Sequence, residues 1–128
     1  MAVTFGVVEI KKSKFFSLFF ITNTLAQAEK ILADLQAEYS DASHLVFAWR
    51  IEDGKQLREK FYNDKEPSGS GGQPLLYLLQ KKEIINGLLV VVRYFGGTKL
   101  GIGGLIRAYT QAGQIALANF LKNNAVRK

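Results

Sequence analysis

The chain contains no cysteine and a single histidine, His44. Disulfides and thiolate metal centres are thereby excluded, and metal sites of the His/Cys type lack their ligands. The longest apolar runs are far too short to cross a bilayer, so no membrane partner is expected. The amino-terminal stretch MAVTFGVVEIKKSKF lacks the basic, then apolar, then small-residue order of a signal peptide. A cytoplasmic location is the expectation. Phosphate fingerprints are missing too. There is no G-x-x-x-x-G-K-[ST], and Gly101-Ile102-Gly103-Gly104-Leu105-Ile106 places Ile where the dinucleotide motif wants Gly or Ala. No cofactor is expected. Ser68 and Ser70 lie outside any G-x-S-x-G context, and no seryl nucleophile is read there.

Acidic residues are scarce in one part of the chain. Residues 74–128 carry eight Lys/Arg against one acid, a net +7, whereas residues 1–73 carry nine against ten, a net −1. The overall charge of +6 therefore belongs to the carboxy-terminal part. Such a region attracts phosphate-bearing or acidic partners, or serves solubility alone.

At 128 residues the chain is expected to form a single domain, 1–128. VTFGVVEI (3–10) and KFFSLFFI (14–21) read as strands joined near Lys11–Ser13, the second apolar on both faces and so central. Thr24 with Gln27 opens a helix whose stripe runs through Leu25, Ala28, Ile31, Leu32, Leu35 and Tyr39. HLVFAWRIE (44–52) alternates as a half-buried strand. Residues 53–73 show no clear periodicity and read as a long polar loop, functional or mobile. Pro74 fits the first turn of a second helix, and LLVVVRY (88–94) a buried strand. A last helix carries Leu105, Ile106, Tyr109, Ala112, Ala116, Leu117, Phe120 and Leu121 on one stripe, and its polar tail from Lys122 is expected to fray. This order predicts an α+β fold, a mixed four-stranded sheet with helices on one face.

The densest signal is RYFGGTKLGIGGLIRAY, with five glycines between Gly96 and Gly104. Gly96, Gly97, Gly101, Gly103 and Gly104 let a backbone or a ligand approach closely. They open a helix, whose free amides and dipole favour an anion. Arg93 precedes the cluster, Lys99 lies inside it and Arg107 follows it, so the three are placed to surround one phosphate or carboxylate. Arg107 falls off the apolar stripe and is free to point outward. The alternative is a tight strand-to-helix reversal with solvated cations. Tyr94 and Phe95 are either buried or exposed for stacking on a base or partner side chain.

The loop NDKEPSGSGGQP is the second cluster. Asp64 and Glu66 have the chemistry to bind a hard cation or to accept from amides of the glycine segment. Pro67, Ser68 and Gly69 are the other loop candidates; alternatively, the loop is a solvated turn whose backbone Pro67 and Gly69 fix. His44 is a weaker candidate, either a base or a strand-edge residue with local hydrogen bonds.

Taken together, VVVRYFGGTKLGIGGLIRAY, EIKKSKF, DASHLVFAW and DKEPSGSGGQP resemble the signatures of the Impact family, which includes the bacterial YigZ proteins. The resemblance covers nearly all of residues 9–109 in the expected order. It implies the fold of the second domain of a small-subunit ribosomal protein, shared with a domain of elongation factor G. It implies an Impact amino-terminal domain, which bacterial members commonly follow with a ferredoxin-like domain absent from this chain. It also implies a role in translation or its stress regulation. Eukaryotic members restrain a starvation-activated kinase by competing for its activator, and the family carries no firmly assigned catalysis. Expected partners are accordingly RNA, the ribosome or a translation-regulatory protein. The rival expectation is an enzyme acting on a small phosphorylated or carboxylated metabolite, with Asp64, Glu66 or His44 moving protons. Two departures bear on the loop: Asn63 and Lys65 stand where many members have Asp and Gly, and Gln73 stands where a basic residue is common. Both weaken a metal role.

Overall fold

The computed structural model describes the backbone of residues 3–126. Val3–Ile10 forms strand β1, and Ser13–Ile21 forms β2, paired with it in an antiparallel hairpin. Lys11 and Lys12, both at positive φ, make the two-residue turn that matches the strands' twist. Helix α1, Leu25–Glu38, begins at Thr24, whose hydroxyl accepts from the Gln27 amide. Gln27 Oε1 reaches back to the Asn23 amide, one residue earlier than in a standard capping box.

Strand β3, His44–Asp53, follows, and then β4, Gln56–Tyr62. Helix α2 spans Gly72–Lys81 with Pro74 in its first turn, β5 spans Gly87–Tyr94, and α3 runs from Gly101 to Val126. Lys122–Val126 thus continues α3, and the last two residues of the tail lie outside the described residues.

The α+β class holds, but the sheet differs from expectation in three ways. It has five strands, in the order β1-β2-β5-β3-β4, and every pairing is antiparallel. The additional strand, β4, lies inside the stretch read as a loop. All seven of its residues are exposed, so it carries no alternating apolar signal; its register with β3 closes at Asp53–Gln56 around Gly54, which has a φ of 69°. The third difference concerns the helices, which occupy both faces.

Side chains alternate across a strand, so each strand feeds two cores. Phe15, Phe19, Val46, Ala48, Leu89 and Val91 pack under α2 and α3. Leu18, Leu45, Phe47, Trp49, Leu88, Val90 and Val92 face the other way, against Ala28, Leu32 and Leu35 of α1. β5, buried along nearly its whole length, is the spine shared by both. In α3 the buried stripe is Leu105, Ala108, Tyr109, Ala112, Ala116 and Leu117; Ile106 and Leu121 are exposed. The small residues let α3 lie close to the sheet, and this brings Tyr109 over β2 and β5.

Candidate functional site

β5 ends at Tyr94, and the chain crosses the top of the sheet before α3 begins at Gly101. The β1–β2 turn and the Glu-Pro loop, residues 63–71, meet the crossing from either side. Gly96 makes the first meeting possible. A side chain's first carbon there would stand 2.1 Å from the Lys12 carbonyl carbon. Ser13 Oγ accepts from the Gly96 amide at 3.1 Å and from Arg93 Nη2 at 3.4 Å. The basic hairpin turn and the glycine segment therefore form one surface.

The loop is held by Asn63. Its Oδ1 accepts from the amides of Gly71 and Gly72, both at 3.0 Å, and so caps α2, whose own N-cap is a glycine. Its Nδ2 donates to the carbonyls of Glu66, at 2.6 Å, and Pro67, at 2.9 Å. An aspartate at this position would accept but not donate, so the asparagine serves loop closure. Asp64 takes a positive φ of 46°; its Oδ2 accepts from the Leu45 amide at 2.6 Å and its Oδ1 from Tyr62 Oη at 3.1 Å. Ser70 closes the loop by donating to the Pro67 carbonyl at 2.6 Å, while Ser68 stays exposed. Gly69 has a φ of 80° with open space where a side chain would start.

This loop carries Glu66 inward until it is 6% exposed. Arg93, 4% exposed, donates from Nη1 to both Glu66 oxygens, at 3.0 and 2.9 Å. Tyr109 Oη donates to Glu66 Oε2 in a short contact. Burial first, and then this hydrogen bond, push the Tyr109 phenol well above its ordinary range, so it remains a neutral donor. Phe15 lies edge-on to the Tyr109 ring and also beneath the Arg93 guanidinium, 5.4 Å from it. His44 completes the cluster: its Nδ1 pairs with the Asp64 carbonyl at 2.7 Å, which assigns the proton to Nδ1, and its Nε2 stands 3.5 Å from Glu66 Oε1.

A cleft of about 340 Å³ opens above this cluster. His44, Glu66 and Arg93 form its floor, with Pro67, Lys99 and the first turn of α3 around it. Leu100 precedes α3 in the capping position and offers no side-chain acceptor to the first-turn amides. Gly101, Ile102 and Gly103 are exposed, and Gly104 is partly so. A second cleft, of about 570 Å³, lies on the far side of Phe95, between Lys12, Lys14, Tyr39, Asp41 and Tyr94.

The three cations picked out from the sequence thus divide. Arg93 is buried and spends its charge on Glu66, Lys99 is exposed at the cleft, and Arg107 is exposed on α3 outside the cleft lining. Asp64 and Glu66 meet strand and helix groups rather than amides of the glycine segment. Tyr94 is half-buried, edge-on to Phe16, with its hydroxyl on Asp41 at 2.9 Å. Phe95 is 50% exposed. Sequence reasoning missed Tyr109 and Ser13 as site residues. The first reads as one more residue of an apolar stripe, and the second as an ordinary turn serine. No local signal distinguishes either.

Among the described residues, no helix is long and apolar enough to cross a membrane. The family model for the Impact N-terminal domain matches residues 11–117. The Escherichia coli Impact family member YigZ is 40% identical over 106 residues, which is 80% of this chain and 51% of YigZ. Its Bacillus subtilis counterpart YvyE is 37% identical over 102 residues, 80% of this chain and 46% of YvyE. The chain spans about half the length of these curated relatives. A crystal structure described as that of a hypothetical protein superposes with a TM-score of 0.82 at 38% identity, covering 91% of this chain and 57% of the other. The two-domain translational regulator Yih1 shares the fold, with a TM-score of 0.58 at 21% identity, over 91% of this chain and 46% of Yih1. The chain belongs to the Impact family, in its amino-terminal domain.

Proposed function

We propose that this domain is a cytoplasmic binding module of translation control, without chemistry of its own. It engages a phosphate-bearing or acidic partner (RNA, the ribosome or an acidic protein surface) through the glycine segment and the basic hairpin turn beside it. One observation carries this reading. The buried ionisable groups of the cleft, Glu66 and Arg93, are committed to one another, the Nε2 of His44 stands against Glu66 Oε1 at 3.5 Å, and the charged group left at the rim, Lys99, is cationic. A general base needs a lone pair aimed at substrate. Glu66 spends its oxygens on Arg93 and Tyr109 beneath the surface, which weighs against an enzyme acting on a small anionic metabolite. The exposed rim offers Lys99 and the first turn of α3, whose amides the Leu100 side chain cannot cap, and both suit an anion. That Yih1, a translational regulator, has the same fold supports the setting.

Sedimentation with purified ribosomes, at graded salt, tests the proposal. Three or four phosphate contacts predict a loss of roughly 10- to 100-fold in affinity between about 50 and about 200 mM salt. Lys99→Glu is expected to weaken low-salt association and flatten that dependence, with the melting temperature unchanged. Absence of association at low salt with ribosomes, RNA and acidic polypeptides alike would overturn the reading.

A further inference from the structure

Phe95 is a large apolar ring, half exposed, at the boundary of two clefts. Its orientation is not left to solvent. The buried Arg93 guanidinium lies 5.5 Å from its centroid, and the Phe95 amide donates to Ser43 Oγ at 2.9 Å. Arg93 is itself fixed by Glu66, and the Phe15 ring also lies 5.4 Å from its guanidinium. The ring is thus pinned from within and presents its remaining surface outward. Lys99 lines the cleft on one side of it, and Lys12 and Lys14 line the cleft on the other. Of the two carboxylates that line these clefts, Glu66 is neutralised by Arg93, whereas Asp41 is exposed and keeps its charge while accepting from Tyr94 Oη. The surface that remains has an aromatic platform flanked by three lysines, with one aspartate at the edge of the second cleft.

An acidic polypeptide would use the lysines but has no need of the ring. A nucleic acid strand uses both, because every base has a face to stack and every residue carries a phosphate. A duplex buries its base faces and cannot use the platform. We infer that the surface around Phe95 binds single-stranded RNA, with one base stacked on the Phe95 ring and the backbone crossing Lys12, Lys14 and Lys99. This rests on the binding-module reading and narrows its partner to an unpaired strand.

The test is fluorescence anisotropy with a labelled oligouridylate of about ten nucleotides, a span suited to one such groove. The same strand annealed to its complement and a polyglutamate of equal charge serve as competitors. Phe95→Ala is expected to weaken binding about tenfold at every salt concentration, since stacking on one ring is worth about 1–3 kcal/mol. Phe95→Tyr should restore it. Lys12→Ala with Lys14→Ala should weaken binding and reduce the logarithmic salt slope by about 1.4, two phosphates at about 0.7 each. Thermal melts establish that each variant is folded, which is expected because these side chains are exposed. If Phe95→Ala binds like the parent while the lysine variant does not, or if duplex or polyglutamate competes as well as the single strand, stacking is overturned and the broader reading survives. If the lysine variant also binds like the parent, this surface is not the one used. If none of the three polyanions binds the parent, the stacking proposal falls, and ribosome sedimentation alone decides the broader reading.

Discussion

Glu66→Ala is expected to destabilise the domain by about 3–5 kcal/mol, the cost of removing one partner of a buried ion pair. The magnitude follows from what is left behind. Arg93 cannot shed its proton, and it is nearly inaccessible to water. Without Glu66 its charge keeps, among the described residues, the Ser13 hydroxyl and two aromatic rings, and Tyr109 loses its acceptor. Domains of this size are stable by about 5–15 kcal/mol in total, so the variant should stand close to unfolding. Urea denaturation of Glu66→Ala, Glu66→Gln, Arg93→Met and the double variant Glu66→Ala/Arg93→Met measures the effect. The amide in Glu66→Gln still accepts from Tyr109, so its loss should be the smaller. The double variant should be more stable than the two single losses added together, with a coupling of about 0.5–3 kcal/mol. A Glu66→Ala variant within about 1 kcal/mol of the parent would mean that the pair is hydrated in solution, because exposed pairs are worth that little. The cleft floor would then be open to water, and Glu66 would be free to act as a base.

The strands and helices with apolar periodicity were legible from the sequence: β1, β2, β3 and β5 and all three helices lie close to where their patterns place them. β4 was not, because a wholly exposed strand is held by backbone pairing to β3 and leaves no side-chain signature. The placement of α1 on the opposite face was equally hidden. Both faces of β2 and β5 are apolar, and composition does not say which helix covers which. The site divides along the same line. The glycine segment and the Glu-Pro loop announce themselves by composition. Their junction does not, because Arg93 and Glu66 are 27 residues apart and Ser13 and Arg93 are 80 apart. Charge counting also misled in one respect. It treats Arg93 as an available cation, whereas burial beside a carboxylate removes it from the surface field and leaves Lys99 and Arg107 with the hairpin lysines.

Gly96→Ala is expected to cost about 3 kcal/mol or more, at the upper end of what overpacking does. The added carbon would lie 2.1 Å from the Lys12 carbonyl carbon, 2.3 Å from its oxygen and 2.5 Å from the Ser13 nitrogen. All three are backbone atoms in a tight turn, so no side-chain rotation relieves the clash; the hairpin and the glycine segment must separate. Gly97→Ala is the control. Gly97 sits at a φ of 94° with nothing within 4 Å, so its substitution carries only a conformational penalty of about 1–2 kcal/mol. Gly104, in contrast, is helical, and alanine there meets Leu100 Cβ at 3.1 Å, a contact that needs a shift of only a few tenths of an ångström. The order of stability by urea denaturation should therefore place Gly96→Ala lowest. Equal losses at Gly96 and Gly97 would show that the two segments do not touch. The same separation would loosen Ser13 from the Gly96 amide and from Arg93, and would move Lys12 and Lys14 relative to Phe95. Folded Gly96→Ala should accordingly bind oligouridylate more weakly than folded Gly97→Ala, although neither substitution alters a charge or an aromatic ring.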